Sequence, residues 1–260
     1  MERAFRRQRL LLSLALVALV GLSWWYLWLG AGTGMSAEAM SAAVLFPHRA
    51  PELPGDMGSA WPIVVAMWWV MMVAMMTPGA LPLVLLYRRV IDHHARHGPR
   101  KFFFSGALLL GYLAVWLAFS VVVATLQLLL QPTGLLSGMM WWSRSAVFSA
   151  ALLCAAGLYQ FSAWKQACLT QCREPARFLA SHAQYGLAAA FRLGILHGGY
   201  CVGCCWLLMA LLFVGGVMNL FWIVALSLLV LCEKLLPGGR MVAHATGGVL
   251  IAWAVATLLV

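Results

Sequence analysis

The feature that most constrains this chain is a series of seven long apolar stretches that together cover most of its length. They fall at roughly residues 10–29, 61–86, 102–130, 145–164, 194–216, 218–236 and 241–260. Each is close to or above the ~20 residues that a helix needs to cross a bilayer. None alternates with the two-residue period of a strand, and open sheets cannot exist in lipid. The sequence therefore predicts an all-α, polytopic bundle of about seven transmembrane helices.

Composition excludes an ordinary soluble domain. Of the 260 residues, 64% are hydrophobic and 9% are charged, whereas soluble domains are about a quarter charged. The first stretch could be a retained anchor or a cleaved signal peptide. Its apolar length of roughly 20 residues exceeds the 7–15 of a signal peptide and favours an anchor. The tightest connection is GGVMN, between the fifth and sixth stretches, which must form a very tight turn.

The basic residues predict the orientation of the bundle. If the N-terminus is cytoplasmic, all Lys and Arg residues except Arg49 and Arg144 fall on inner segments. This asymmetry follows the positive-inside rule. The formal charge of +10 then reflects topology and attraction to anionic lipid. The polar loops are too short for a nucleic-acid-binding domain, so no nucleic-acid partner is expected.

The fifth stretch contains HGGYCVGCCWLLM, which is rich in soft metal ligands. Residues four apart share a helix face, so a single stripe holds His197, Cys201, Cys204 or Cys205, and Met209. Thiolate, thioether and imidazole ligands favour Cu(I), or Zn(II) when Cys and His dominate. The alternative is that these cysteines are small core residues and the glycines only pack helices.

A second cysteine pair, Cys168 and Cys172, lies in KQACLTQCREP at the inner end of the fourth stretch. Their spacing places both sulfurs on one side of a helix. The flanking Lys165 and Arg173 favour the thiolate form. A structural disulfide is not expected in the reducing cytoplasm. The pair is therefore a metal site, a redox pair or a feature without function.

Methionines dominate MWWVMMVAMMTPGALP in the second stretch, where Met67, Met71 and Met75 follow one another at four-residue steps. A thioether row can bind Cu(I) weakly and pass it along, although methionine also fills helix packing. Inward passage of Cu(I) along a metal relay would also use the outer methionines Met35, Met40, Met57, Met139 and Met140. Pro78 and Pro82 are expected to break or kink the inner end of this helix.

The sixth stretch ends in Cys232, Glu233 and Lys234. An acid beside a lysine at a membrane boundary often only pairs with it or reaches toward water. Alternatively, Glu233 faces the bundle as a metal ligand or proton acceptor.

Three blocks together resemble a bacterial family described as predicted metal-binding integral membrane proteins, a Cys-rich, multi-pass domain of unknown function. The blocks are MWWVMMVAMMTP, KQACLTQCREP and GILHGGYCVGCCWLLMALLFVGGVMNLFWIVALSLLVLCEK. They keep the order and spacing of that family from about residue 60 onward. The resemblance implies metal binding in a bacterial cytoplasmic (inner) membrane. It also implies a set of functional positions: Cys168, Cys172, Cys201, Cys204, Cys205 and Glu233.

The expected topology brings these positions together. The fourth stretch ends, the fifth begins and the sixth ends at the inner face, so we expect the six residues to converge in the inner half of the bundle. We divide the chain into an N-terminal anchor and outer loop, residues 1–60, and a six-span metal-binding membrane domain, residues 61–260.

Three functions fit this pattern. The first is a membrane metal-binding protein that handles copper (Cu⁺) or zinc, or delivers the ion to a membrane protein partner. The second is a thiol–disulfide or quinone-linked oxidoreductase that uses both cysteine groups. The third is a metal-dependent membrane enzyme, or a subunit of one, with an open coordination position.

Overall fold

The helical class predicted from the sequence is confirmed. The computed structural model describes residues 2–30, 41, 46–49, 60–94, 101–138, 140–182 and 186–260. Of the residues that the structure describes, 86% are helical. Within the described ranges there is no β-strand, and β-type backbone pairing is limited to an isolated antiparallel bridge between Leu136 and Ser143.

Each of the seven apolar stretches lies mainly in helix. In chain order the helices are α1 (Glu2–Trp28), α2 (Trp61–His94), α3 (Lys101–Leu130), α4 (Ala146–Gln160), α5 (Ala163–Arg173), α6 (Pro175–His182), α7 (Leu187–Ala210), α8 (Leu212–Gly215), α9 (Leu220–Leu235) and α10 (Gly239–Leu259). Short 3₁₀ turns occupy Pro47–Arg49 and Gln131–Thr133.

Four helical stretches in the described part of the chain are long and apolar enough to cross a membrane, which indicates a membrane protein. They are Trp61–Ile91, Phe103–Thr133, Leu187–Gly215 and Gly239–Leu259. Helices α4 and α5 would add a fifth span together, but they are bent by 65° at a short break. The apolar part of α1, Ser13–Trp28, is shorter. The count of seven spans and the cytoplasmic N-terminus therefore stay predictions.

The bend between α4 and α5 has a local cause. The backbone N–H of Phe161 bonds back to α4, and Ser162 then starts a new helix, its hydroxyl accepting a hydrogen bond from the Lys165 N–H at 3.1 Å. A serine in this position satisfies a donor that the first helical turn leaves unpaired. The fourth apolar stretch is thus a broken pair of helices, with both cysteines on α5.

Glycines allow close packing of α3 and α7, the helix that carries three of the seven cysteines. A Cβ added at Gly194 would collide with the carbonyl oxygen of Leu108, and one at Gly111 would collide with that of Phe191. Small residues let helix backbones approach closely in membranes, where lipid supplies no hydrophobic drive for association. This contact sets the position of α7 against the bundle.

Two expectations about helix ends have different outcomes. Of the break or kink expected at Pro78 and Pro82, the break is wrong, because α2 continues through both prolines, and the kink stays a prediction. Neighbouring groups in a bundle can satisfy the carbonyls that a proline leaves unpaired. The tight turn at GGVMN is confirmed: Gly216 has φ +100°, and the Asn219 side chain accepts from the Phe221 N–H at 3.1 Å to begin α9.

Candidate metal centre

Three cysteines of α7 lie together in the core. Cys201, Cys204 and Cys205 are each 1% exposed. The thiols of Cys204 and Cys205 donate to the Cys201 carbonyl at 3.1 and 3.0 Å. The sulfur of Cys205 also lies 3.9 Å from the Met76 sulfur on α2. Helix α2 therefore adds a thioether to the three thiols.

Helix α5 adds further sulfur. Cys172 is buried, and its thiol lies close enough to those of Cys201 and Cys204 to interact with both. We call Cys172, Cys201, Cys204 and Cys205 the thiol cluster. Cys168 is half-buried at the edge of this cluster, where it interacts with Cys204. Gly203 makes room for it, because a Cβ there would lie 2.8 Å from the Cys168 sulfur.

A buried ammonium contacts the thiol cluster. Lys234 of α9 is 5% exposed, and its Nζ donates to the sulfur of Cys201 at 3.0 Å. The hydroxyl of Tyr112 lies 3.1 Å from the same sulfur. The lysine stem passes over Gly79, where an added Cβ would lie 3.1 Å from the lysine Cδ. Cys201 is thus held between a positive charge and a phenol.

Glu233 is engaged elsewhere. Its Oε2 forms a 2.7 Å salt bridge with Lys165 Nζ of α5, and both side chains are almost fully buried. Its Oε1 accepts from Gln160 Nε2 at 2.9 Å. Both carboxylate oxygens therefore have partners outside the thiol cluster. The neighbour in sequence, Lys234, is not the partner, and both lysines are buried in the bundle.

The other predicted α7 ligands are also in the core. His197, one turn before Cys201, is 2% exposed. Its ring packs between Tyr112 and Phe178, with ring centroids 5.9 and 5.2 Å away. Its Nδ1 is buried and has no hydrogen-bond partner among the described residues, and His197 stays a predicted ligand. Met209 is fully buried and also stays a prediction.

The methionine row of α2 is buried in the same core as the thiols. Met67, Met71 and Met75 are at most 3% exposed. The methionine whose sulfur reaches the cluster, however, is Met76 on the adjacent stripe. Met140 is buried, and four outer methionines lie outside the described residues: Met35, Met40, Met57 and Met139. The relay is therefore still a prediction.

Sequence reasoning did not assign three neighbours of the cluster: Met76, Tyr112 and Lys234. Met76 could have been assigned, since it belongs to the same methionine-rich run. Lys234 was harder to assign, because the sequence shows only a charged residue at the end of an apolar stretch. Tyr112 could not be assigned from the sequence, because its place beside Cys201 depends on how α3 packs against α7.

The chemistry of the donor set can be compared with what a metal ion requires. Within the described ranges, no group of three or more His, Cys, Asp or Glu side chains is arranged to hold a metal ion. Cys204 and Cys205 direct their thiols at a backbone carbonyl. Ligation would require these thiols to lose their protons and turn from that carbonyl. Thiols with a nearby thioether suit a soft ion such as Cu(I).

A cavity of about 480 Å³ lies away from this centre. It is formed between α3 and α7 by apolar side chains that include Phe103, Leu110 and Phe191. No predicted ligand lines it. The cavity is therefore separate from the candidate metal centre.

A family of known proteins matches most of the chain. A family model described as Copper chaperone (PpoB2) matches residues 65–257. That range contains the whole thiol cluster together with Met76, Lys165, Glu233 and Lys234. No curated protein and no solved structure matches the chain.

Proposed function

The chain belongs to the copper chaperone family, and on that premise we propose that it binds Cu(I) at the thiol cluster within a membrane and delivers it to a partner protein. One observation carries the proposal: four buried thiols from α5 and α7 meet beside a thioether from α2. The proposed location is a bacterial cytoplasmic membrane, with the cluster in its inner half.

The thioether beside the thiols favours Cu(I) over Zn(II) at this centre, whereas four thiolates alone would also suit Zn(II). Structural Zn(II) sites use four Cys or His ligands in a closed tetrahedron. A thioether is a poor ligand for Zn(II) but a suitable one for Cu(I). The nearest extra donor to the thiols is the sulfur of Met76, whereas the carboxylate of Glu233 is held by Lys165. The donor set is therefore almost entirely sulfur.

The proposed roles follow burial. The four thiols hold the ion, and burial excludes water and oxidants from it. Cys168 is half-buried at the cluster edge and is the thiol through which the ion would exchange with a partner. Glu233 serves the structure through Lys165 instead of binding the ion. His197 and Met209 extend the stripe along α7, and Met67, Met71 and Met75 are the proposed relay through the membrane.

A second candidate is a thiol–disulfide oxidoreductase linked to quinone. The observation that favours it is the hydrogen bond from the ammonium of Lys234 to the sulfur of Cys201. A positive charge beside a thiol favours the nucleophilic thiolate form. Cys172, Cys204 and Cys205 would be the thiols near enough to form a disulfide with Cys201. This function requires a reversible disulfide and no bound metal.

The two candidates can be separated by one experiment. The protein is purified anaerobically in detergent, loaded with Cu(I), freed of excess ion, and analysed for metal content and free thiols. The test variant replaces Cys201, Cys204 and Cys205 by serine. The matched control replaces Cys232, which is half-buried on α9, by serine.

Near-stoichiometric copper in the wild type and the Cys232 variant, lost in the triple variant, is the expected result. Zinc bound in preference to copper would overturn the proposed ion. Absence of metal, with two thiols missing until a reductant is added, would overturn the copper function and support the oxidoreductase.

A further inference from the structure

We propose that Lys234 is a fixed counter-charge that makes the thiol cluster select a monovalent soft cation over a divalent one. This inference rests on the proposed copper function and adds the residue that decides ion valence. Lys234 is not a ligand, because an ammonium has no lone pair to offer. It acts through the charge that it places beside Cys201.

The argument begins with the buried charges of the centre. An isolated charge is costly to bury, so buried charges are paired or bind metals. Glu233 balances Lys165 in a salt bridge and accepts a further hydrogen bond from Gln160. In the described part of the chain, the ammonium of Lys234 makes no salt bridge, and its hydrogen bond goes to the sulfur of Cys201. The group that it contacts and that can supply a counter-charge, as a thiolate, is Cys201.

Thiols lose their protons when they bind a metal ion, and the net charge of the resulting complex depends on the charge of the ion. With a pair of thiolates, Cu(I) leaves one unit of negative charge, which the ammonium neutralises. The same pair with Zn(II) is neutral and leaves the ammonium without a counter-charge. For any equal number of bound thiolates, the monovalent complex is more negative by one unit. Because charges interact strongly in a low-dielectric interior, Lys234 stabilises the Cu(I) complex more than the Zn(II) complex that uses the same thiolates.

The position of Lys234 fits this role. Its stem crosses Gly79 of α2, so the ammonium reaches from α9 to a cysteine of α7 with little exposure to water. The lysine also interacts with Cys204 and Cys205. Its charge therefore acts on several thiols of the cluster, whichever of them hold the ion.

The test measures two affinities on the full chain in detergent under anaerobic conditions. Cu(I) and Zn(II) are each titrated against a chromophoric chelator of known affinity. Lys234→Met removes the charge and keeps the apolar stem, and Lys234→Arg keeps the charge. Lys234→Gln is a second neutral variant in case the methionine variant does not fold.

The expected result is that the ratio of Cu(I) to Zn(II) affinity falls at least about tenfold in a neutral variant. The arginine variant should retain most of the wild-type ratio. Equal weakening of both ions in Lys234→Met or Lys234→Gln would overturn the inference and leave Lys234 a structural residue. That outcome differs from failure of the proposed function, in which the wild type itself would bind no Cu(I).

Discussion

The buried salt bridge between Lys165 and Glu233 gives a direct test of how the centre is built. Glu233→Gln keeps the shape of the side chain and an oxygen that can accept from Gln160. It removes the negative charge that balances Lys165. Because both ionic side chains are almost fully buried, with 2.7 Å between Nζ and Oε2, solvent cannot replace the lost partner.

Removing one member of a buried ion pair costs about 3–5 kcal/mol, because the remaining charge is left unpaired. We expect Glu233→Gln to lower the free energy of unfolding by this amount. Replacing both partners, as in Glu233→Gln with Lys165→Met, removes the unpaired charge and should recover most of the loss. Comparing the free energies of unfolding of the single and double variants thus shows how much of the loss comes from the unpaired charge and how much from the changed side-chain volume.

Thermal unfolding in detergent, followed by helical circular dichroism, measures stability, and Cu(I) titration of the same samples measures binding. The double variant is expected to bind Cu(I) with nearly wild-type affinity. The reasoning would be refuted if Glu233→Gln unfolded like the wild type yet lost copper, since Glu233 would then be a ligand. Full loss of copper in the well-folded double variant would lead to the same conclusion.

Three further predictions concern the methionines and the helix packing. Replacing Met71 and Met75 together by leucine keeps the apolar volume but removes two thioethers of the relay, so cellular copper accumulation should fall. If elemental mass spectrometry shows unchanged copper accumulation, the relay is ruled out. Gly194→Ala should destabilise the bundle by about 1–3 kcal/mol, because the Cβ of the alanine would collide with the α3 backbone. A midpoint of unfolding equal to that of the wild type would contradict this packing. Met76→Leu should weaken Cu(I) binding by roughly tenfold, or about 1.4 kcal/mol, as measured by competition with a chelator. The control Met72→Leu, at an equally buried position, should leave Cu(I) binding unchanged. Equal effects of the two substitutions would show that Met76 is not part of the site.

The placement of the helices could be predicted from the sequence because apolar length is a local property. The number of spans could not be read so directly. The fourth apolar stretch is interrupted where Ser162 begins a new helix, although hydropathy shows no gap there. Conversely, a break in α2 was one of the two effects expected of Pro78 and Pro82, and the helix continues through both residues.

Side-chain partners at the centre depend on helix rotation, which apolar stretches do not encode. Spacing along α5 and α7 indicated that the thiols would face one region, and the structure brings four of them together. The two adjacent residues Glu233 and Lys234 point to different partners, Lys165 and Cys201. A pattern that placed nearly all basic residues on inner segments could not show which of them lie in the core.

X-ray absorption at the copper edge, on the anaerobically loaded protein, tests the central claim most directly. The account predicts monovalent copper surrounded predominantly by sulfur, and loss of that signal when Cys201, Cys204 and Cys205 are replaced by serine. Copper bound mainly through nitrogen or oxygen, or a signal unchanged in the triple variant, would contradict it.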